Sequence, residues 1–180
     1  YLDKTPWVVL EISSFQLQGL KDKNFAPKIA VITNIYPDHL NWHTSIEEYI
    51  AAKKIIALKQ TADDYLVISC QEGLDSKLTD GVKSKIVKSC GEDFVQDYLS
   101  YSTIESLPLK GAANMANYAS AQAVCEILGI GRSIFFKAFG RFIGAVYRME
   151  CIRKFNDVEI IKDSTATNPV GTIEALQTIP

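Results

Sequence analysis

The 180-residue chain reads as an α/β fold on a mostly parallel sheet, and three features of the sequence point there. Short apolar, β-rich runs recur at 6–12, 28–34, 65–69 and 85–89, as expected of strands covered on both faces. Helical patterns alternate with them, most clearly at 45–56 and 113–128. A hydrophobic content of 47% is enough for a sizeable core.

In chain order, PWVVLEI (6–12) and KIAVITN (28–34) form the first two strands of this reading. Ser45 and Glu48 have the S-x-x-E spacing of a capping box and open a helix. Its apolar stripe carries Ile46, Tyr49, Ile50, Lys53, Ile56 and Ala57, with Lys54 at the edge, in easy reach of water. YLVIS (65–69) and KIVKS (85–89) are further strands, separated by a polar region rich in Asp, Lys and Gly. ANMANYASAQAVCEIL (113–128) is a strong helix ended by Gly129, and SIFFKAFGRF (133–142) is a weaker one. FIGAVYRME (142–150) interrupts the helical pattern and is the candidate domain boundary. MECIRKF and VEIIKD follow as a hairpin, and Asn168-Pro169 reads as an N-cap before proline at the first helical position. The chain begins at Tyr1 without methionine and ends at Pro180 as a helix is running, so a fragment of a longer protein is expected.

A net charge of −2, with no basic run or aromatic ladder, gives no electrostatic case for nucleic acid or an anionic membrane. Cys70, Cys90, Cys125 and Cys151 are scattered without a C-x-x-C pair. That predicts buried thiols in a reducing compartment, not a disulfide frame or a zinc site. No apolar run reaches the roughly 18 residues of a membrane helix and no signal peptide is visible, so the expected location is cytoplasmic.

Polar groups fall at the carboxyl ends of the first two strands, Glu11 after one and Asn34 to His39 after the other, where open α/β sheets bind ligands. Ordinary loop polarity is the alternative. Lys53 adds a third group. Either its stem packs while the ammonium snorkels to water, or burial favours the neutral amine. A neutral amine can add carbon dioxide, and the resulting carbamate is an anion able to ligate Mg2+, a hard cation that prefers oxygen. His39 and His43 have an i, i+4 spacing that could suggest zinc, but Pro37 and Asn41-Trp42 indicate a turn and no third ligand is suitably spaced. Asn114 and Asn117 read as an N-cap with a first-turn residue, or as two amides on one side facing a nucleobase edge. Asp163, Ser164, Thr165, Thr167 and Asn168 cluster before a helix N-terminus, which suits phosphate or carboxylate.

Taken in order, EISSFQL (11–17), NIYPDHLNWH (34–43), EYIAAK (48–53), LKGAANMAN (109–117), FIGAVYRME (142–150) and KDSTATNP (162–169) resemble the Mur ligase family, and within it the branch that adds D-glutamate. The resemblance implies that 1–144 is the later part of a central ATPase domain and 145–180 the start of a Rossmann-like C-terminal domain. It places the phosphate loop upstream of Tyr1, so the chain alone is not expected to catalyse. The implied activity is ATP-dependent ligation of D-glutamate to UDP-N-acetylmuramoyl-L-alanine through an acyl phosphate, in peptidoglycan precursor synthesis, by a protein that is a monomer when complete. The implied cofactors are ATP and Mg2+.

Position by position, Glu11 and His39 resemble the magnesium ligands and Lys53 the carbamylated lysine. Ser13 and Gln16 resemble contacts to the UDP-sugar. Asn114 and Asn117 resemble the adenine-side asparagines, Arg148 the arginine at the phosphates and Asp163 the ribose contact. Ser164, Thr165 and Thr167 fall on the substrate side, Thr167 as a D-glutamate contact. Ala113, Tyr147 and Thr165 depart from the pattern, standing where it has histidine, histidine and lysine. Two alternatives stand beside the implied activity: a related ATP-dependent ligase with another acceptor, or a catalytically silent nucleotide-binding member, in which those three departures mark lost activity.

Overall fold

The computed structural model describes residues 7–38, 41–71, 73–102, 106–107, 109–167 and 169–179. His39, expected as a metal ligand, and Asn168, expected as an N-cap, lie outside them.

Three parallel strands carry the fold. β1 (Ile29–Ile32), β2 (Tyr65–Ser69) and β3 (Lys85–Ser89) lie in the order β1-β2-β3. Parallel neighbours need crossovers. Here α2 (Ile46–Leu58) links β1 to β2, and α3 (Asp75–Thr79) links β2 to β3. Ala30, Ile32, Leu66 and Ile68 form a core with Tyr49, Ile50 and Ala57 of α2 and Leu78 of α3. The other face of the sheet meets α5 (Ala112–Ile127), which packs on β2 and β3. α4 (Gly91–Leu99) and α6 (Arg132–Phe139) join α5 in an aromatic cluster of Phe94, Tyr98, Tyr118, Phe135, Phe136 and Phe139. A short helix α1 (Ser14–Gly19) packs on α2. Beyond α6 the chain forms an antiparallel hairpin, β4 (Glu150–Phe155) and β5 (Val158–Lys162), and then α7 (Pro169–Gln177), which opens on proline as expected.

Several expectations need correction. Residues 7–12 form no strand, and Val9 is 94% exposed. An apolar run becomes a strand only where a neighbour offers free backbone groups, and none of the described strands pairs with it. The second helix spans 132–139 and stops at Gly140, short of Phe142.

The capping box at α2 is half formed. Ser45 accepts from the Glu48 N–H at 3.2 Å, but the Glu48 carboxylate turns to the Thr44 N–H and hydroxyl, both at 2.7 Å. Lys54 is less free than its edge position suggests, with a side chain 16% exposed and Nζ 4.0 Å from Asp80.

The cysteines differ most. Cys70 and Cys90 form a disulfide, Cys125 is half-buried and Cys151 exposed. Strand register is the reason: Ser69 pairs with Ser89, so the next residue on each strand meets its neighbour.

Candidate functional site

Four separate stretches converge on one cleft. The loop after β1 contributes Asn34, Tyr36 and Asp38. The start of α5 contributes Asn114 and Asn117, with Lys110 and Gly111 just before them. Arg148 and Asp163 flank the hairpin, and Thr165 and Thr167 lie on the run into α7. The cavity they enclose is about 240 Å³. Six of the residues singled out from the sequence are therefore neighbours: Asn114, Asn117, Arg148, Asp163, Thr165 and Thr167. Ser164 is not among the lining residues; it is exposed, and its N–H donates to the Tyr147 carbonyl at 3.0 Å.

Local chemistry explains the arrangement. Gly111 is the N-cap of α5 with φ +97°, a conformation glycine adopts without strain, and no side chain caps the helix. The first-turn N–H groups of α5 thus lack a side-chain cap while Gly111, Ala113 and Asn114 line the cleft, an arrangement suited to an anion. Asn114 is not the N-cap; it sits inside the first turn and donates to the Lys110 carbonyl at 2.8 Å. Tyr147 and Met149 hold positive φ values of 67° and 48°, which turns the chain into the hairpin and brings Arg148 to the cleft. The Arg148 Nε donates to the Thr165 hydroxyl at 3.4 Å, and that hydroxyl donates to Asp163 at 3.3 Å. Across the cleft, Thr167 donates to Asp38 at 2.7 Å and Tyr36 to Glu174 at 3.4 Å. Burial, and then Glu174, hold the Tyr36 phenol above its usual value.

A second hollow lies beside α1 and α2. Glu11, Ser13, Gln16, Tyr49 and Lys53 line it, so the carboxylate and lysine paired on sequence grounds share one space. Burial lowers the Lys53 pKa, and Asp38 opposes the shift. The Lys53 Nζ lies 5.2 Å from the centre of the Tyr49 ring. Ser13 and Gln16 bond each other in a complete capping box, with the Ser13 N–H on Gln16 Oε1 at 2.8 Å and the Gln16 N–H on Ser13 Oγ at 3.3 Å. Behind the hollow, His43 is fully buried, its Nε2 2.9 Å from Ser14 Oγ and its ring against Phe15 and Tyr49.

Among the described residues no three His, Cys, Asp or Glu side chains cluster as a metal site. Glu11 and a carbamate on Lys53 would supply oxygen donors of the kind magnesium takes. An unmodified lysine, a cation, would not. Sequence reasoning gave no individual role to Asp38, Lys110 or Glu174. The first two lie inside motifs quoted for other residues, and Glu174 carried no signal beyond its place on a helix.

A family model, the Mur ligase middle domain, matches residues 2–125. The chain is 33% identical over 180 residues to the UDP-N-acetylmuramoylalanine--D-glutamate ligase of Streptococcus agalactiae serotype Ia, covering 94% of this chain and 40% of that protein. The enzyme of the same name from Streptococcus sanguinis gives the same identity and coverage. The chain thus spans about 40% of the length of these relatives. Among solved structures, MurF from Acinetobacter baumannii superposes with a TM-score of 0.70 at 19% identity, over 91% of this chain and 38% of that one, which shows a common fold. The chain belongs to the Mur ligase family.

Proposed function

We propose that this chain is part of an ATP-dependent ligase that joins D-glutamate to UDP-N-acetylmuramoyl-L-alanine through an acyl phosphate, in the cytoplasmic synthesis of peptidoglycan precursors. The observation that carries this reading is the convergence of Asn114, Asn117, Arg148, Asp163, Thr165 and Thr167 on one cleft. The relatives' names supply the substrates. In this reading Asn114 and Asn117 bind the adenine, Asp163 the ribose and Arg148 the phosphates. Thr165 and Thr167 serve the acyl phosphate and the incoming amino acid, Ser13 and Gln16 serve the UDP-sugar, and Ser164, expected beside them, does not line the cleft. Magnesium would be held by Glu11, His39 and the carbamate of Lys53, and it offsets charge at the transferring phosphoryl group. Residues 1–144 belong to the central domain and 145–180 open the C-terminal one. The irregular 141–149 stretch, with its two positive φ values, supports that division.

The test is D-glutamate-dependent phosphate release by the complete protein. Lys53→Ala should abolish it, and a short carboxylic acid in the buffer should restore part by occupying the vacated site. Full activity in Lys53→Ala would remove the carbamate. Phosphate release independent of D-glutamate would overturn the D-glutamate assignment in favour of another acceptor, and none at all would overturn the ligase reading in favour of a silent nucleotide-binding protein.

A further inference from the structure

The carboxyl ends of β2 and β3 are joined at the edge of the sheet that faces the cleft. Cys70 and Cys90 each follow their strand directly, lie 5.0 Å apart at Cα and are disulfide-bonded. Cys70 is exposed and Cys90 half-buried, and both line a hollow of about 640 Å³ together with Thr33, Asn34 and Gln71. Accessible disulfides are the ones that exchange, whereas enclosed ones resist reduction. The residue after Cys70 ties this pair to the cleft. Gln71 uses both ends of its carboxamide on Ile35, accepting from the Ile35 N–H at 3.0 Å and donating to the Ile35 carbonyl at 2.7 Å. Asn34 and Tyr36, on either side of Ile35, line both the hollow and the cleft.

We propose that Cys70–Cys90 is a reversible thiol–disulfide exchange site for a small thiol, and that opening it releases the Gln71 clamp on the loop forming one wall of the cleft. A thiolate attacks the more accessible sulfur, on Cys70. The S–S bond breaks and its electron pair leaves on Cys90, which sits at the N-cap of α4. A second thiolate attacks the sulfur of the small molecule in the mixed disulfide and releases Cys70. The protons of the two small thiols end on the two cysteines, so the protein disulfide is reduced as two thiols become one small disulfide.

The test uses the complete protein purified without reductant, alkylated with N-ethylmaleimide and peptide-mapped before and after native treatment with reduced glutathione. The expected result is a linked Cys70–Cys90 peptide that opens without denaturant, both cysteines then taking the alkyl group. Exchange of the Ile35 amide, followed by NMR, should rise about tenfold on reduction and return on treatment with oxidised glutathione. The Cys70→Ser/Cys90→Ser variant should stay at the fast rate under both conditions. Alkylation of both cysteines before reduction, a link that opens only in denaturant, or Ile35 exchange unchanged by opening would each overturn the proposal.

Discussion

Tyr118 offers a test of the packing that supports the cleft. It stands on α5, one residue beyond Asn117, and is only 6% exposed among Phe94, Phe139 and its other aromatic neighbours. Its hydroxyl accepts from the Leu109 N–H at 3.0 Å and donates to the Leu109 carbonyl at 3.2 Å, fixing the segment that leads into Lys110 and Gly111. Burial pushes the phenol up to about 12, against an opposing hydrogen bond from Leu109 and with a smaller push from Tyr98. An acid whose folded pKa is raised stabilises the fold fully below the unfolded value, near 10, and loses that contribution as pH rises through the folded value. A rise from about 10 to about 12 is worth roughly 2 to 3 kcal/mol. Tyr118→Phe removes the titration and, at neutral pH, costs about 1 to 2 kcal/mol for the two hydrogen bonds. The gap between the two proteins should therefore narrow above pH 10 and close near pH 11 to 12. Urea unfolding at stepped pH, followed by far-UV circular dichroism, measures it; the other tyrosines and the lysines titrate in both proteins and cancel in the difference. A gap that stays constant from pH 9 to 11.5 would refute the assigned burial.

Two further outcomes are expected. His43→Ala should cost about 3 kcal/mol, because it empties a buried ring site and leaves the Ser14 hydroxyl, 4% exposed, without its partner; a loss under about 1 kcal/mol in urea titration would show that the histidine is not holding α1 to α2. Thr165→Lys in the complete protein should leave kcat/KM unchanged or lower, since the Arg148 guanidinium already touches Thr165, Lys110 lines the same cavity and Asp163 would pair with the new ammonium; a gain of about tenfold would show that a positive charge was missing.

What could be read from the sequence follows the range of the interactions involved. β2 and β3 match their apolar runs to the residue, because both are short and bounded by polar segments. The run at 7–12 misled because its pattern records apolarity and carries nothing about a backbone partner. Helical period put Lys53 on the stripe with Tyr49, beside which it lines the second hollow, but the helix also buries Ala52 and Ile55, which lie off that stripe. Asp38 was not legible, since its effect on Lys53 depends on where a loop after β1 passes. His43 was weighed only as a metal ligand, although a histidine near apolar residues often packs in a core, as it does here. The six cleft residues singled out from the sequence spread over 53 positions, from Asn114 to Thr167, and each is weak alone. Only their ordered motifs brought them together before the fold was known. The disulfide needed two strand ends and one register, and both strand ends were already visible as a serine followed by cysteine.

Asp38 links the two hollows physically. It lines the cleft, accepts the Thr167 hydroxyl from a segment 129 residues away, and favours the charged form of Lys53 from the other side. Burial outweighs it, since the net shift on the lysine is downward. A hydroxyl donated to a carboxylate favours its ionised form, so the Thr167 contact helps to keep Asp38 charged beside the lysine. Two other contacts hold the same segment against the cleft. Tyr36 bonds Glu174, and Gly111 admits Thr178 so closely that an added Cβ would fall 2.5 Å from its methyl group. The position of α7 therefore bears on both the cleft wall and the charge state of a lysine in the neighbouring hollow, and an alanine at Gly111 would disturb both by pushing that helix away.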